Sequence, residues 1–242
     1  MNKDAIPNEF LLDSGYVIET KDLWRIYHVK KTDREGIAAL RGVNLRVHQG
    51  CFIALKGRSG SGKTTLLNCL AGLDQPTSGS VRVLGSDLTQ MNDQELTAWR
   101  RDQIGLVFQS FGLLPTLSAY ENIELLLRIQ GITYGIRHRR TLECLELVGL
   151  SDWQSHRPYE MSGGQQQRVA VARALANKSK LILADEPTGE LDSKTTQELL
   201  SLFRKLVDVE KITFLMVSHD PLVDQYADEV LYLRDGILDD NK

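Results

Sequence analysis

The 242-residue chain carries 29 Lys plus Arg against 32 Asp plus Glu, a formal charge of −3, with 42% hydrophobic and 25% charged residues. This ordinary globular composition excludes a disordered chain or a long coiled coil, and the length suffices for one large domain or two small ones. No apolar stretch approaches the ~18 residues needed to cross a bilayer, the start MNKDAIPNEFLLDSG lacks the apolar run of a secretory signal, and the slightly acidic balance argues against broad nucleic-acid binding.

In chain order, residues 1–17 read as a polar extension. Val17–Thr20 and Gly42–Val47 are expected strands, with the charged turn Lys30–Gly36 between them. Cys51–Leu55 is a short apolar run stopped by glycine, the pattern of a buried strand. Thr65–Ala71 has helical spacing and stops at Gly72. Val81–Val83 predicts a strand, Glu95–Asp102 a short helix, and Ile104–Phe108 another strand. From Ser118 to Leu150 the pattern is helical, broken at Gly131 and Gly149, and Gln165–Ala176 is a further helix. Then come Leu181–Ala184 as strand, Ser193–Leu206 as helix, and Ile212–Val217 and Val230–Leu233 as strands. Alternation of strand and helix on both sides of a helical insert predicts an α/β parallel sheet with a helical subdomain.

The three cysteines, Cys51, Cys69 and Cys144, stand apart with no CxxC pair, so a disulfide framework or zinc site is not expected. No HExxH spacing occurs among the five histidines.

The sharpest local feature is Gly57-Arg58-Ser59-Gly60-Ser61-Gly62-Lys63-Thr64, a match to G-x-x-x-x-G-K-[ST] between an apolar strand and a helix. Glycines let backbone amides curl around phosphates, and the following helix turns its positive end toward the same anion. Lys63 is placed to reach the β- and γ-phosphates and Thr64 to set its hydroxyl on Mg²⁺, with Thr65 following. The loop lacks the third glycine of a dinucleotide fingerprint, since Thr65 stands where that glycine is needed. The guanine-reading NKxD pattern is also missing, because Asn177-Lys178 continues as Ser179-Lys180. Downstream, Leu181–Ala184 ends in Asp185-Glu186. The first carboxylate suits a place beside Mg²⁺ at a strand's C-terminal edge, and the second suits a general base acting on water.

Between these motifs, Met161-Ser162-Gly163-Gly164-Gln165-Gln166-Gln167-Arg168 closely resembles the LSGGQ signature of ATP-binding cassette (ABC) proteins, with Met161 replacing leucine at similar volume. Ser162 and two glycines before a helix offer a hydroxyl, close backbone approach and a helix N-terminus to an anion. The resemblance implies that two cassettes pack head to tail, each signature (Ser162, Gly163, Gly164, Gln165) capping the ATP held by the other's phosphate loop. By the same resemblance Gln109 matches the Q-loop glutamine that contacts Mg²⁺, Asp192 the dimer-contacting aspartate after Gly189-Glu190-Leu191, and His219 the switch histidine on the γ-phosphate. Tyr27 resembles the aromatic that stacks on adenine.

This likeness spans residues 17–238 and is nearest to the macrolide-exporter and lipoprotein-release cassettes (MacB and LolD), through Phe108–Leu117 and Pro187-Thr188-Gly189-Glu190-Leu191-Asp192. The cell-division cassette FtsE and a soluble, non-transport ABC ATPase are the alternatives. It implies a P-loop NTPase (RecA-like) core over 18–238, with an antiparallel β-subdomain and a helical subdomain at about 110–165. The expected cofactors are ATP and Mg²⁺, with Thr64, Gln109 and Asp185 on the metal and Glu186, His219 and Lys63 in the catalytic roles. A second copy of the chain and a MacB- or FtsX-like integral membrane permease are the expected partners, with no nucleic acid. That assembly would sit at the cytoplasmic face of the inner membrane. Only six residues follow Gly236, so no appended regulatory domain is expected.

Overall fold

The computed structural model describes residues 15–28 and 36–239. The expected extension over 1–14 and the expected turn over 30–35 lie outside the described residues. The predicted alternation resolves into two sheets. Five short strands, β3 (Phe52–Lys56), β6 (Ile104–Phe108), β7 (Leu181–Asp185), β8 (Thr213–Val217) and β9 (Glu229–Arg234), pair in parallel. The short β10 (Ile237–Leu238) closes the edge antiparallel to β9, giving the order β10-β9-β3-β8-β7-β6.

β3, β6, β7 and β8 are apolar over most of their length because both faces are covered, whereas β9, near the sheet edge, carries exposed Glu229 and Arg234. Phe52, Ala54, Ile182, Ala184, Phe214 and Met216 point into one core cluster. Their neighbours Ile53, Leu55, Leu181, Leu183, Leu215 and Val217 point into the other. A one-residue slip in any of these strands would exchange its side chains between the two cores, so register is strongly specified.

The second core is closed by an antiparallel sheet ordered β2-β1-β4-β5, made of β1 (Tyr16–Tyr27), β2 (Ile37–His48), β4 (Ser78–Val83) and the two-residue β5 (Ser86–Asp87). β1 opens at Tyr16, ahead of the boundary read from the sequence, because Val17 is fully buried and its carbonyl accepts from the Leu84 amide. It also runs seven residues beyond Thr20, past a chain irregularity at Asp22, whose φ is +44°. Helix α1 (Lys63–Leu70) lies beneath this sheet.

The first core is covered by α3 (Ala119–Ile129), α4 (Tyr134–Leu147), α5 (Gly163–Leu175) and α6 (Ser193–Glu210). A capping box of Ser118 and Glu121 starts α3. Gly131 and Gly149, at φ +75° and +71°, break the helical run where the sequence predicts. Helix α2 (Asp93–Gln103) starts two residues earlier than its apolar pattern, because Asn92 and Glu95 form a capping box. No helix among the described residues is long and apolar enough to cross a membrane.

Candidate functional site

Register decides where the functional residues meet. Leu55 and Asp185 both pair with Val217, and Phe108 pairs with Asp185. The segments that follow, Gly57–Thr64, Ser218-His219, Glu186 and Gln109, therefore emerge together at the C-terminal edge of the parallel sheet, where such folds bind ligands.

The phosphate loop needs its glycines for identifiable reasons. Gly57 has φ +154° and a Cβ there would meet the Leu233 carbonyl oxygen at 2.2 Å. Gly62 has φ +104° and a Cβ would meet the Ala39 carbonyl oxygen at 2.4 Å. Helix α1 begins at Lys63, before the predicted Thr65, and its first intrahelical bond runs from Leu66 N to Gly62 O. The amides of Lys63, Thr64 and Thr65 thus fall among the unbonded donors of the first turn, an anion-binding arrangement. Lys63 is only 6% exposed. Its ammonium folds back to donate to the carbonyls of Gly57 and Arg58 at 2.9 and 3.0 Å. Burial holds its pKa below the usual lysine value, against the opposing pull of Glu186 and Asp185.

Asp185 and Glu186 end β7. The Thr64 hydroxyl donates to Asp185 Oδ1 across a loose 3.5 Å. Burial raises the Asp185 pKa; the Thr64 hydrogen bond and Lys63 pull it down, and Glu186 adds to the rise. Glu186 takes a left-handed φ of +47°, uncommon for a residue with a side chain and a feature that clusters at functional sites. Its amide donates to Val217 O and its carbonyl accepts from Gly189 N, both at 3.0 Å. That backbone frame sets Glu186 Oε1 2.9 Å from His219 Nε2. One cavity is lined by Thr64, Gln109, Ser110, Asp185, Glu186 and Glu190. A neighbouring one is lined by Gly57–Ser61 and His219. The hydroxyl and carboxylate oxygens of Thr64 and Asp185, with Gln109 on the same cavity, are the hard donors that Mg²⁺ prefers, so the residues fit that ion.

Tyr27 ends β1, 37% exposed, with its phenol in reach of the Thr65 hydroxyl. It therefore stands beside the first turn of α1.

The signature residues are placed differently. Ser162 caps α5 by accepting from Gln165 N at 3.3 Å, and Gln165 Oε1 accepts from Ser162 N at 2.9 Å. Asp192 caps α6 in the same way, taking Thr195 N at 3.0 Å and the Thr195 hydroxyl at 2.6 Å. A Cβ on Gly164 would lie 2.3 Å from Thr195 Cγ2, so the two helix starts touch. Gly163 faces Leu191 and Phe111. Among the described residues lining the two cavities, none comes from Ser162–Gln165, and Asp192 is absent as well. The structure thus gathers Lys63, Thr64, Gln109, Asp185, Glu186 and His219 at one edge, and the signature lines neither of its cavities.

Several further residues, to which the sequence assigned no role of their own, hold the segments around the site. Arg173, half-buried and with its pKa lowered by the loss of solvent around it, donates to the carbonyls of Phe111 and Gly112 just after Gln109. Gln167, fully buried, donates to Phe108 O at 3.2 Å and so ties α5 to the end of β6. Asn122 grips Leu114 through both its amide and carbonyl, at 2.8 and 3.1 Å. Gln167 and Arg173 act on backbone groups 59 to 62 residues away in sequence, which no local pattern announces.

The family described as ABC transporter matches residues 40–189. An ABC transporter ATP-binding protein of Thermotoga maritima is 48% identical over 220 residues, 91% of this chain and 92% of that one. The macrolide export ATP-binding/permease protein MacB of Syntrophobacter fumaroxidans is 43% identical over 92% of this chain, which spans 31% of that longer protein. Among solved structures, the ATP-binding cassette MJ0796 of Methanocaldococcus jannaschii, a dimer in a post-hydrolysis state bound to ADP and Pi, superposes with a TM-score of 0.82 at 42% identity. That superposition covers 93% of this chain and 97% of that chain.

Proposed function

The chain belongs to the ABC transporter family, as one of its ATP-binding, ATP-hydrolysing subunits, and from that premise we propose that it works as a MgATP-driven, head-to-tail homodimer that moves a separate membrane subunit. The observation carrying this reading is the split in the site. Phosphate-loop lysine, carboxylates and histidine converge on one edge, while the second glycine-bearing helix start, at Ser162, lines neither of the cavities there. Two copies related by a twofold axis would bring each signature onto the other's phosphate loop.

In this mechanism the amides of Lys63, Thr64 and Thr65 cradle the phosphates, and the Lys63 ammonium leaves the Gly57 and Arg58 carbonyls for the β- and γ-phosphate oxygens. Thr64, Asp185 and Gln109 would hold Mg²⁺, which when bound would neutralise charge at the phosphates. Glu186 accepts the proton of the attacking water. His219 holds Glu186 in place through Nε2 and contacts the γ-phosphate, and Ser162 with Gly163 and Gly164 of the second copy closes the far side. ATP favours the closed dimer because only there do both halves touch phosphate, and ADP without the γ-phosphate releases it. The closure reaches a MacB-like permease through the segment after Gln109, beside a groove lined by Phe108, Leu126, Arg100 and Arg173. The MacB relative, in which ATPase and permease share one chain, supports an export or mechanical role at the cytoplasmic face of the membrane.

Glu186→Gln removes the base while keeping size and the His219 contact. The expected result is retained ATP binding, ATP-dependent dimers on size exclusion, and hydrolysis slower by ~10²–10³. Near-normal turnover in that variant would refute the role of Glu186.

A further inference from the structure

Tyr27 is held by more than its strand. Asp74, four residues past the end of α1, accepts from Arg25 Nε at 2.9 Å and from a second Arg25 nitrogen at 2.6 Å, and it also accepts the Tyr27 hydroxyl. The Arg25 guanidinium lies 4.4 Å from the centroid of the Tyr27 ring, within cation–π range. Residues 25 and 27 share a face of β1, so one carboxylate closes a ring of contacts around both.

The carboxylate is itself anchored. Asp74 N donates to Asn68 O at 3.2 Å, back in α1. Three residues on, Thr77 N donates to Trp24 O at 2.8 Å and its hydroxyl accepts from Ile26 N at 2.9 Å. The chain from Asp74 to Thr77 is therefore stitched to β1 on either side of Arg25. The Arg25 and Asp74 side chains are only 24% and 19% exposed, so the pair is less screened than an ordinary surface ion pair.

We propose that Arg25 and Asp74 are positioning residues for the nucleotide base. Arg25 covers one face of Tyr27 and Asp74 fixes the ring plane, leaving the opposite face as a preformed stacking platform beside the phosphate loop. A ring already immobilised gives up little rotamer freedom when a base stacks on it. The platform and the phosphate cradle are then joined through α1, with Thr65 at its start and Asp74 just past its end. This rests on the nucleotide-site reading above, and the experiment separates the two.

Steady-state hydrolysis by the full chain is measured against ATP, with inhibition by tripolyphosphate as a probe that has phosphates and no base. Asp74→Ala is expected to raise KM for ATP about five- to tenfold with kcat within about twofold, while the tripolyphosphate Ki is unchanged. Arg25→Met is expected to shift KM the same way by about two- to threefold, and it carries the test if Asp74→Ala does not fold. Equal weakening of ATP and tripolyphosphate, or no change in KM, overturns the proposal, since a loss of general structure would not spare the base-free ligand. Lys63→Ala, read by calorimetric titration of each ligand because it does not turn over, is the control and should weaken both. If it weakens neither, the nucleotide-site reading has failed and the base platform falls with it.

Discussion

The phosphate-loop edge and the signature edge use similar residue types to opposite ends. At the first, side chains from four strand ends point at common cavities, and the Lys63 ammonium is bonded to backbone carbonyls whose place a phosphate could take. At the second, Ser162, Gln165 and Asp192 are all occupied in capping their own helices. The first edge holds a buried cation, a half-buried carboxylate with a raised pKa and a residue in left-handed backbone. The second shows none of these tensions. A site that stores strain and unbalanced charge is built for a ligand. A helix start that is locally complete is built to be presented, and a second copy of the chain is what it would be presented to.

The largest effects should divide along that line. Lys63→Ala should abolish detectable nucleotide binding by the monomer, read by equilibrium dialysis or calorimetry. Ser162→Asp keeps a good N-cap but sets a carboxylate where a phosphate would lie. It should leave monomer ATP affinity within about twofold, with turnover lower by ~10² or more. If Ser162→Asp weakened monomer binding as much as Lys63→Ala, the two edges would not be separate.

A smaller effect is expected at the contact between the helix starts. Gly164→Ala forces Thr195 aside, and Thr195 cannot yield freely because its hydroxyl is bonded to Asp192. A destabilisation of about 1–3 kcal/mol follows from such overpacking, measurable by urea denaturation. An unchanged midpoint would mean that the α5 and α6 starts are not in contact. The smallest effect is at Asp192. Its carboxyl is held below the ordinary value, first by the Thr195 hydroxyl and then by the Thr195 amide. A depressed folded-state pKa stabilises the fold above the unfolded value, ~3.9, and that contribution fades as pH falls through the folded one. Wild type should therefore be slightly more stable than Asp192→Asn at pH 7, the difference shrinking as pH falls below the ordinary carboxylate range; a difference that stays constant on acidification would contradict the assignment.

Much of the first edge was legible in the chain. The phosphate loop, Asp185-Glu186 and His219 each follow a short apolar run, and a parallel sheet brings such strand ends together regardless of the distance between them in sequence. The helical breaks at Gly131 and Gly149 were legible because only glycine adopts those angles readily. Capping at Asn92 went unread, since its signal lies ahead of the apolar pattern that marks α2. The long β1 was hidden by its irregularities at Asp22. The support for Tyr27 was illegible for a different reason: Asp74 is 47 positions away, on a loop whose path depends on how α1 packs. Local motifs reveal what touches a ligand, and the residues that aim them are found only in three dimensions.

The central claim, that each complete site is shared between two copies, is tested most directly by mixing two inactive variants. Lys63→Ala lacks only the phosphate-loop half and Ser162→Asp only the signature half. Together at equal concentration they should form mixed dimers with one intact site, restoring roughly a quarter of wild-type hydrolysis. A mixture as inactive as its components, under conditions where mixed dimers are shown to form, would contradict the head-to-tail account.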